Sequence, residues 1–278
     1  MKRLIVNADD FGISAGINRG ILECVEKGIV RSASLMANMP AAVEAASLAL
    51  KTPSLGVGIH LNLTCGKPLS TIGSVRSLVS DEGGFFPLSR LMRRLVFGRI
   101  ALNEAEREFR AQIERAREMG IRPTHLDSHQ HLHFYPSLGK MVRKLAEEFR
   151  IPWVRGSSSS LLKGIYFPYK GLLKTAVLSQ LRHFANGRQN GVRSPDRLLG
   201  VADVPRGDYP KAVRFFLKNL EGVSELLCHP GYVDEELRRN DPWTEMREEE
   251  LQTLTDPEIF REIEKAGAVL TNFRERLQ

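Results

Sequence analysis

No apolar run of about 18 residues occurs anywhere in the chain, so no transmembrane helix is expected. Cysteine is scarce. Cys24, Cys65 and Cys228 are odd in number, widely spaced and form no CxxC pair. That pattern excludes a disulfide framework and a cysteine-ligated zinc site, and it suits a reducing compartment, with the cytoplasm expected. Aromatic residues make up only 7% and no nucleic-acid motif is present, so nucleic acid is not an expected partner. There is no internal repeat and no low-complexity linker. The start of the chain does not read as a signal peptide, because its short apolar stretch runs straight into Asp9 and Asp10.

What is present is ordinary for a soluble globular protein: 42% apolar residues, 26% charged residues and 278 residues in all. This length suits one large domain or two small ones. The net charge of +7 is unevenly spread. Arg90, Arg93, Arg94 and Arg99 are interleaved with Leu91, Met92, Leu95, Val96 and Phe97. A second basic stretch includes Lys170, Lys174, Arg182, His183, Arg188, Arg193 and Arg197. Such stretches are most often solvated helix faces; the alternative is a surface for an anionic or lipid-linked partner at a membrane.

Short β-branched runs alternate with helical periodicity. Strands are expected at Leu4 to Asn7, Val30 to Met36, Leu55 to Leu61, Thr124 to Asp127, Pro152 to Arg155, Glu225 to Cys228 and Val269 to Asn272. Helices are expected at Ser14 to Lys27 with Ser14 as N-cap, and at Ala41 to Leu50, Leu102 to Met119, Ser137 to Phe149, Tyr209 to Leu220 and Asp256 to Ala266. Residues 64 to 87 read as a long loop, and 156 to 197 as an irregular or helical excursion covering a site. The alternation implies βα units on a parallel sheet, and about seven or eight of them suit a closed or nearly closed barrel.

Four strands end in acid–base or metal-binding residues: Asp9-Asp10, His60, the run from Asp127 through His129, His131 and His133, and His229. In parallel α/β folds the site lies at the C-terminal ends of the strands, so these clusters should share one crevice. Five of the seven histidines fall in them. Singly, each has a plain reading. Asp9-Asp10 could turn the chain, His60 could be a hydrogen-bonded core residue and His229-Pro230-Gly231 could be a turn. His125, inside its strand, is expected to be structural. The His-x-His-x-His run is harder to dismiss, because alternate histidines project together if extended and imidazole is the commonest metal ligand.

Asn7-Ala8-Asp9-Asp10-Phe11-Gly12, Gly58-Ile59-His60-Leu61-Asn62-Leu63-Thr64, Thr124 to His133 and Cys228-His229-Pro230-Gly231 stand in the order and positions of the YdjC-like carbohydrate deacetylases, and Ser194-Pro195-Asp196 also looks like an element of that family. The chain resembles this family over nearly its whole length. The resemblance implies a single-domain (residues 1 to 278) α/β fold, a distorted (β/α) barrel similar to polysaccharide deacetylases. It implies removal of an N-acetyl group from a sugar, and a metal site of one aspartate and two histidines that maps onto Asp10, His60 and His129. It also implies that Asp9, the first of the pair, acts as base, although the two aspartates could exchange roles.

His229 is the candidate acid for the departing amine, since imidazole titrates near neutrality. Asp127 is a candidate for orienting a ligating histidine. His131, His133 and Arg155 complete the set as supporting or substrate-binding groups. Adjacent strand residues point to opposite faces, so a bend is needed for both aspartates to serve, and Gly12 could provide it. Two imidazoles and a carboxylate suit Zn²⁺; the resemblance keeps Mg²⁺ open. The expected substrate is an acetylated amino sugar, chitooligosaccharide-like or lipid-linked, and the resemblance suggests a homodimer. Two alternatives stand beside this reading. One is an amidohydrolase or phosphoesterase, disfavoured because those often carry His-x-His on the first strand. The other is a non-catalytic sugar-binding barrel, disfavoured by the intact aspartate and histidine set.

Overall fold

The computed structural model describes residues 1–156, 191–201, 204 and 207–275. Eight parallel strands form its centre: β1 (Lys2–Phe11), β2 (Ser32–Leu35), β3 (Gly56–Leu61), β4 (His125–Ser128), β5 (Trp153–Val154), β6 (Arg197–Leu199), β7 (Val223–Cys228) and β8 (Ala268–Thr271). They are hydrogen-bonded in the order β5-β4-β3-β2-β1-β7-β6. β8 pairs with the first half of β1, Lys2 to Ile5, whereas β2 meets β1 only from Asn7 onward. Every residue of β1 from Leu4 to Phe11 is buried, as expected of a central parallel strand covered on both faces.

The sheet curls into a half-barrel with β5 and β6 at its two ends, and Trp153 of β5 bridges to Arg193 in the segment that leads into β6. The Ser194-Pro195-Asp196 element closes this seam. Ser194 Oγ donates to the Val154 carbonyl at 2.8 Å and accepts from Arg143 Nη2 at 3.0 Å. Asp196 Oδ2 accepts from the Val223 amide at 2.8 Å. Two arginines of the second basic stretch are thereby part of the fold: Arg193 lies over the Trp153 ring, and Arg197 is buried, donating to Glu221 and to the Asn219 carbonyl. Residues 157 to 190 of the anticipated excursion, with the remaining basic residues of that stretch, lie outside the described residues.

Helices pack on the outside: α1 (Ala15–Glu26), α2 (Ala42–Leu50), α3 (Leu88–Val96), α4 (Leu102–Glu118), α5 (Pro136–Glu148), α6 (Tyr209–Lys218), α7 (Glu235–Asn240), α8 (Arg247–Thr255) and α9 (Pro257–Lys265). Ser14 caps α1 by accepting from the Ile17 amide. The loop after β3 is longer in extent than it is irregular, for it holds two short 3-10 turns, Ile72–Ser74 and Arg76–Leu78. α3 buries Leu91 and leaves Arg90, Arg93, Val96 and Phe97 exposed. Among the described residues no helix is long and apolar enough to cross a membrane.

His125 on β4 is built into the core. It is hydrogen-bonded to Ser34 Oγ and Thr124 Oγ1, both at 2.9 Å, and packs on Phe273 with ring centroids 4.1 Å apart. Burial pushes its pKa down to about 4, so the ring stays neutral at physiological pH. Gly58 on β3 makes room for it, since a Cβ there would lie 2.4 Å from ring atoms of His125. Gly58→Ala is therefore expected to destabilise the fold by about 1–3 kcal/mol through overpacking. A urea midpoint equal to that of the parent chain would contradict this.

Candidate active site

Asp9 and Asp10 reach the same end of the sheet because β1 breaks its own alternation. The register with β2 slips between Ala8 and Phe11, and Asp10 takes φ +62°. A left-handed conformation is uncommon outside glycine but tolerated by aspartate. The bend that brings both carboxylates to one crevice thus falls on Asp10 itself, with Gly12 (φ +95°) completing the turn that the sequence had suggested it would supply.

His60 on β3 and Asp127 on β4 are register partners across the sheet, and His60 Nδ1 lies 2.8 Å from Asp127 Oδ1. That contact leaves Nε2 of His60 for other work, and it sits 3.4 Å from Asp10 Oδ1. His129 Nδ1 lies 3.1 Å from the same Asp10 oxygen. One donor atom each from Asp10, His60 and His129 falls within 4.8 Å of the others, and all three residues are buried. Asp9, His60 and Asp127 form a second, overlapping group of the same kind.

These residues fit a divalent cation on three counts. One carboxylate and two imidazoles are a common donor set that leaves coordination positions open. A carboxylate on the far nitrogen of a ligating histidine fixes its tautomer and orientation, and Asp127 stands there for His60. Finally, the local charge calls for a cation. Burial alone would lower the His60 pKa, yet Asp127, Asp9 and Asp10 raise it to about 9.

Two buried arginines hold the carboxylates in place. Arg155 grips both oxygens of Asp9 at 2.6 Å, and reaches Asp127 Oδ2 and Glu225 Oε1, each at 2.8 Å. Asn7 Nδ2 adds a bond to Asp9 Oδ1 at 2.9 Å. Arg247 donates through Nη2 to Asp10 Oδ2 at 2.7 Å and to Asp241 Oδ2 at 2.9 Å. Burial would raise the Asp10 pKa, but Arg247, then His129 and His60, hold it well below the ordinary carboxylate range. Glu225 behaves oppositely: burial, only partly opposed by Arg155, pushes it up to about 7.

His229 at the end of β7 faces the same crevice, its Nε2 3.9 Å from Asp9 Oδ2 and its side chain 27% exposed. Its pKa is lowered, by burial first and against the pull of Asp9 and Asp10. The His229 amide donates to Glu250, and Glu250 Oε1 stands 4.0 Å from His229 Nδ1. Burial pushes Glu250 up to about 7.

The histidine run departs from the extended geometry that the spacing suggested. His129–Phe134 is a kinked 3-10 segment in which Gln130 (φ +54°) and His131 (φ +57°) are left-handed, so alternate histidines diverge. His129 alone reaches Asp10. His131 lines the cavity and stacks on Phe134, with centroids 5.5 Å apart. His133 turns away to Ser128 Oγ, 2.6 Å from its Nδ1, and burial lowers its pKa to about 3; it is not among the cavity-lining residues.

The cavity itself is about 170 Å³ and is lined by Asp9, Asp10, His60, His129, His229 and Arg247 together with Leu88, Gln130, His131, Val201, Leu227, Asp241 and Trp243. Clefts of about 490 and 730 Å³ lie elsewhere and include none of these histidines. Glu225, Asp241, Trp243, Arg247 and Glu250 were not anticipated from the sequence. Glu225 sits inside an apolar strand, and Arg247 opens the acidic run Glu248 to Glu250, which reads as a solvated helix start.

A family model described as "YdjC-like protein" matches residues 3–265. A carbohydrate deacetylase of Geobacillus stearothermophilus is 38% identical over 278 residues, covering 98% of this chain and 96% of that protein. One of Clostridium beijerinckii is 35% identical over 274 residues, covering 98% and 99%. Among solved structures, one from Enterococcus faecalis V583, provisionally named a cellobiose-phosphate cleavage protein, superposes with a TM-score of 0.81 at 29% identity, covering 100% of this chain and 99% of its own.

Proposed function

The chain belongs to the YdjC-like family, and from that premise we propose that it is a metal-dependent hydrolase that removes the N-acetyl group from an acetylated amino sugar. The observation that carries this reading is the meeting of Asp10, His60 and His129 in one buried cluster, beside a carboxylate (Asp9) and an imidazole (His229) that can exchange protons with substrate. Asp10, His60 and His129 would hold the cation, with Mg²⁺ and Zn²⁺ as the candidates. When bound, such an ion acidifies a water towards a pKa of roughly 7 and polarises a carbonyl.

The remaining chemistry belongs to the side chains. Amide hydrolysis adds water to the acetyl carbon, breaks its bond to nitrogen and leaves acetate and an amine. Asp9 takes the proton from the attacking water. Arg155 and Asn7 aim its carboxylate through hydrogen bonds to both of its oxygens. His229 Nε2 gives a proton to the departing nitrogen. Its hydrogen-bonded amide fixes the ring's anchor point, and Asp9, 3.9 Å away, passes on to it the proton taken from water. At 3.9 Å from one another, Asp9 Oδ2 and His229 Nε2 can serve one tetrahedral carbon and its leaving group.

The cluster draws on β1, β3, β4, β7 and α8 together, in keeping with a single catalytic domain. The three cysteines are free thiols and buried, in keeping with a cytoplasmic enzyme. Incubation with N,N′-diacetylchitobiose should release acetate and free amine in equal amounts, with no hydrolysis of bis(4-nitrophenyl) phosphate. The converse pattern would replace this reading with a phosphoesterase.

A further inference from the structure

An aromatic side chain stands at the cavity without a task in the hydrolysis. Trp243 lines it and is 38% exposed. An aromatic ring held at the edge of a polar cavity offers a flat apolar face to whatever enters it.

Its position is fixed rather than incidental. The Trp243 amide donates to Asp241 Oδ1 at 2.8 Å, and its carbonyl accepts from Arg247 Nε at 3.0 Å. Asp241 and Arg247 are themselves joined at 2.9 Å, and Arg247 continues to Asp10 at 2.7 Å. Two hydrogen bonds therefore separate the backbone bearing the indole from a carboxylate of the candidate metal site. Arg247 is fully buried and lines the same cavity. Its Nη1 has no hydrogen-bond partner among the described residues, an expensive state for a charged donor. The cavity also has apolar lining in Leu88, Val201 and Leu227.

We propose that Trp243 and Arg247 form the subsite for the sugar ring that carries the acetyl group, the indole stacking on the ring's C–H face and Arg247 Nη1 donating to one of its oxygens. This rests on the deacetylase reading for the position of the acetyl group, and it adds which residues hold the ring. Pyranose rings present an apolar face edged by hydroxyls, which matches an aromatic plate beside a fixed donor. At about 170 Å³ the cavity is smaller than drug-sized pockets, which run roughly 300–1,000 Å³, so it suits one ring with the rest of the substrate outside. Stacking of this kind acts on the bound substrate and on the transition state alike, so its loss should raise KM and spare kcat.

The test uses the full-length chain with N,N′-diacetylchitobiose, by calorimetry on the metal-free protein and by acetate release with metal restored. Trp243→Ala is expected to weaken binding and raise KM by about tenfold, with kcat nearly unchanged, and Trp243→Phe should recover most of the loss. Wild-type affinity and KM in Trp243→Ala would overturn the subsite, as would an Ala variant that loses kcat alone. Wild-type protein that binds no acetylated amino sugar would overturn it too. If the wild type binds this sugar in a Trp243-dependent way and yet releases no acetate, the subsite stands and the deacetylase reading falls.

Discussion

Replacing His129 by alanine is expected to remove bound metal and activity together. The kinked segment that carries it sends His131 to a different part of the cavity and His133 to Ser128, so within this run only His129 reaches Asp10. His60→Ala should behave the same way. In that variant Asp127 loses one partner but keeps Arg155 and Ser34, at 2.8 and 2.7 Å, so the sheet around it should persist. With the cation gone, the water that must attack returns towards a pKa near 15.7, and hydrolysis should fall to background. Metal content by mass spectrometry and acetate release check both halves of this outcome. A circular dichroism spectrum of the variant that matches the parent's would show that folding is not the cause. A His129→Ala protein with full metal and full rate would remove His129 from the site.

Asp9→Asn should separate the two functions. Asp9 contributes no atom to the group formed by Asp10, His60 and His129, so that metal site should survive. Turnover should drop by about 10²–10⁴-fold, the usual contribution of a general base. Some stability will be lost as well, because Arg155 exchanges a carboxylate held through two oxygens for a neutral amide. Arg155 retains Asp127 and Glu225, both at 2.8 Å, so it is not left as an uncompensated buried charge. Measured well below the variant's melting temperature, a kcat near the parent value would sink the assignment of Asp9 as base. Loss of metal from the same variant would instead indicate that Asp9 and Asp10 have exchanged roles.

The parallel sheet was legible because its signals are local. β-branched runs, helix caps and the return of acidic or imidazole residues at strand ends all lie within a few positions of one another. The strand-end clusters that hold Asp10, His60 and His129 stood out for the same reason, and the resemblance to the family singled out those three as the metal set. The fate of the histidine run was not legible: whether residues 129 to 133 extend or kink depends on left-handed turns at Gln130 and His131, and neither is a residue that announces one. The bend at Asp10 was anticipated as a need and attached to Gly12, since glycine is the usual signal for positive φ.

Partners supplied from far along the chain were harder still. Arg247 is 237 residues from the aspartate it holds, and the run Glu248 to Glu250 that follows it reads in the sequence as a solvated helix start. Glu225 had the appearance of a strand residue and became a buried partner of Arg155. Nothing in local periodicity marks such residues; their role exists only once the sheet has curled.

The most direct test of the central claim is a metal-removal and restoration series on the purified chain, with acetate release from N,N′-diacetylchitobiose as the readout. Chelation with EDTA and dialysis should abolish acetate release, and addition of Zn²⁺ or Mg²⁺ should restore it in the parent chain but not in His129→Ala. Acetate release that persists after the metal has been stripped would contradict a metal-dependent deacetylase built on Asp10, His60 and His129.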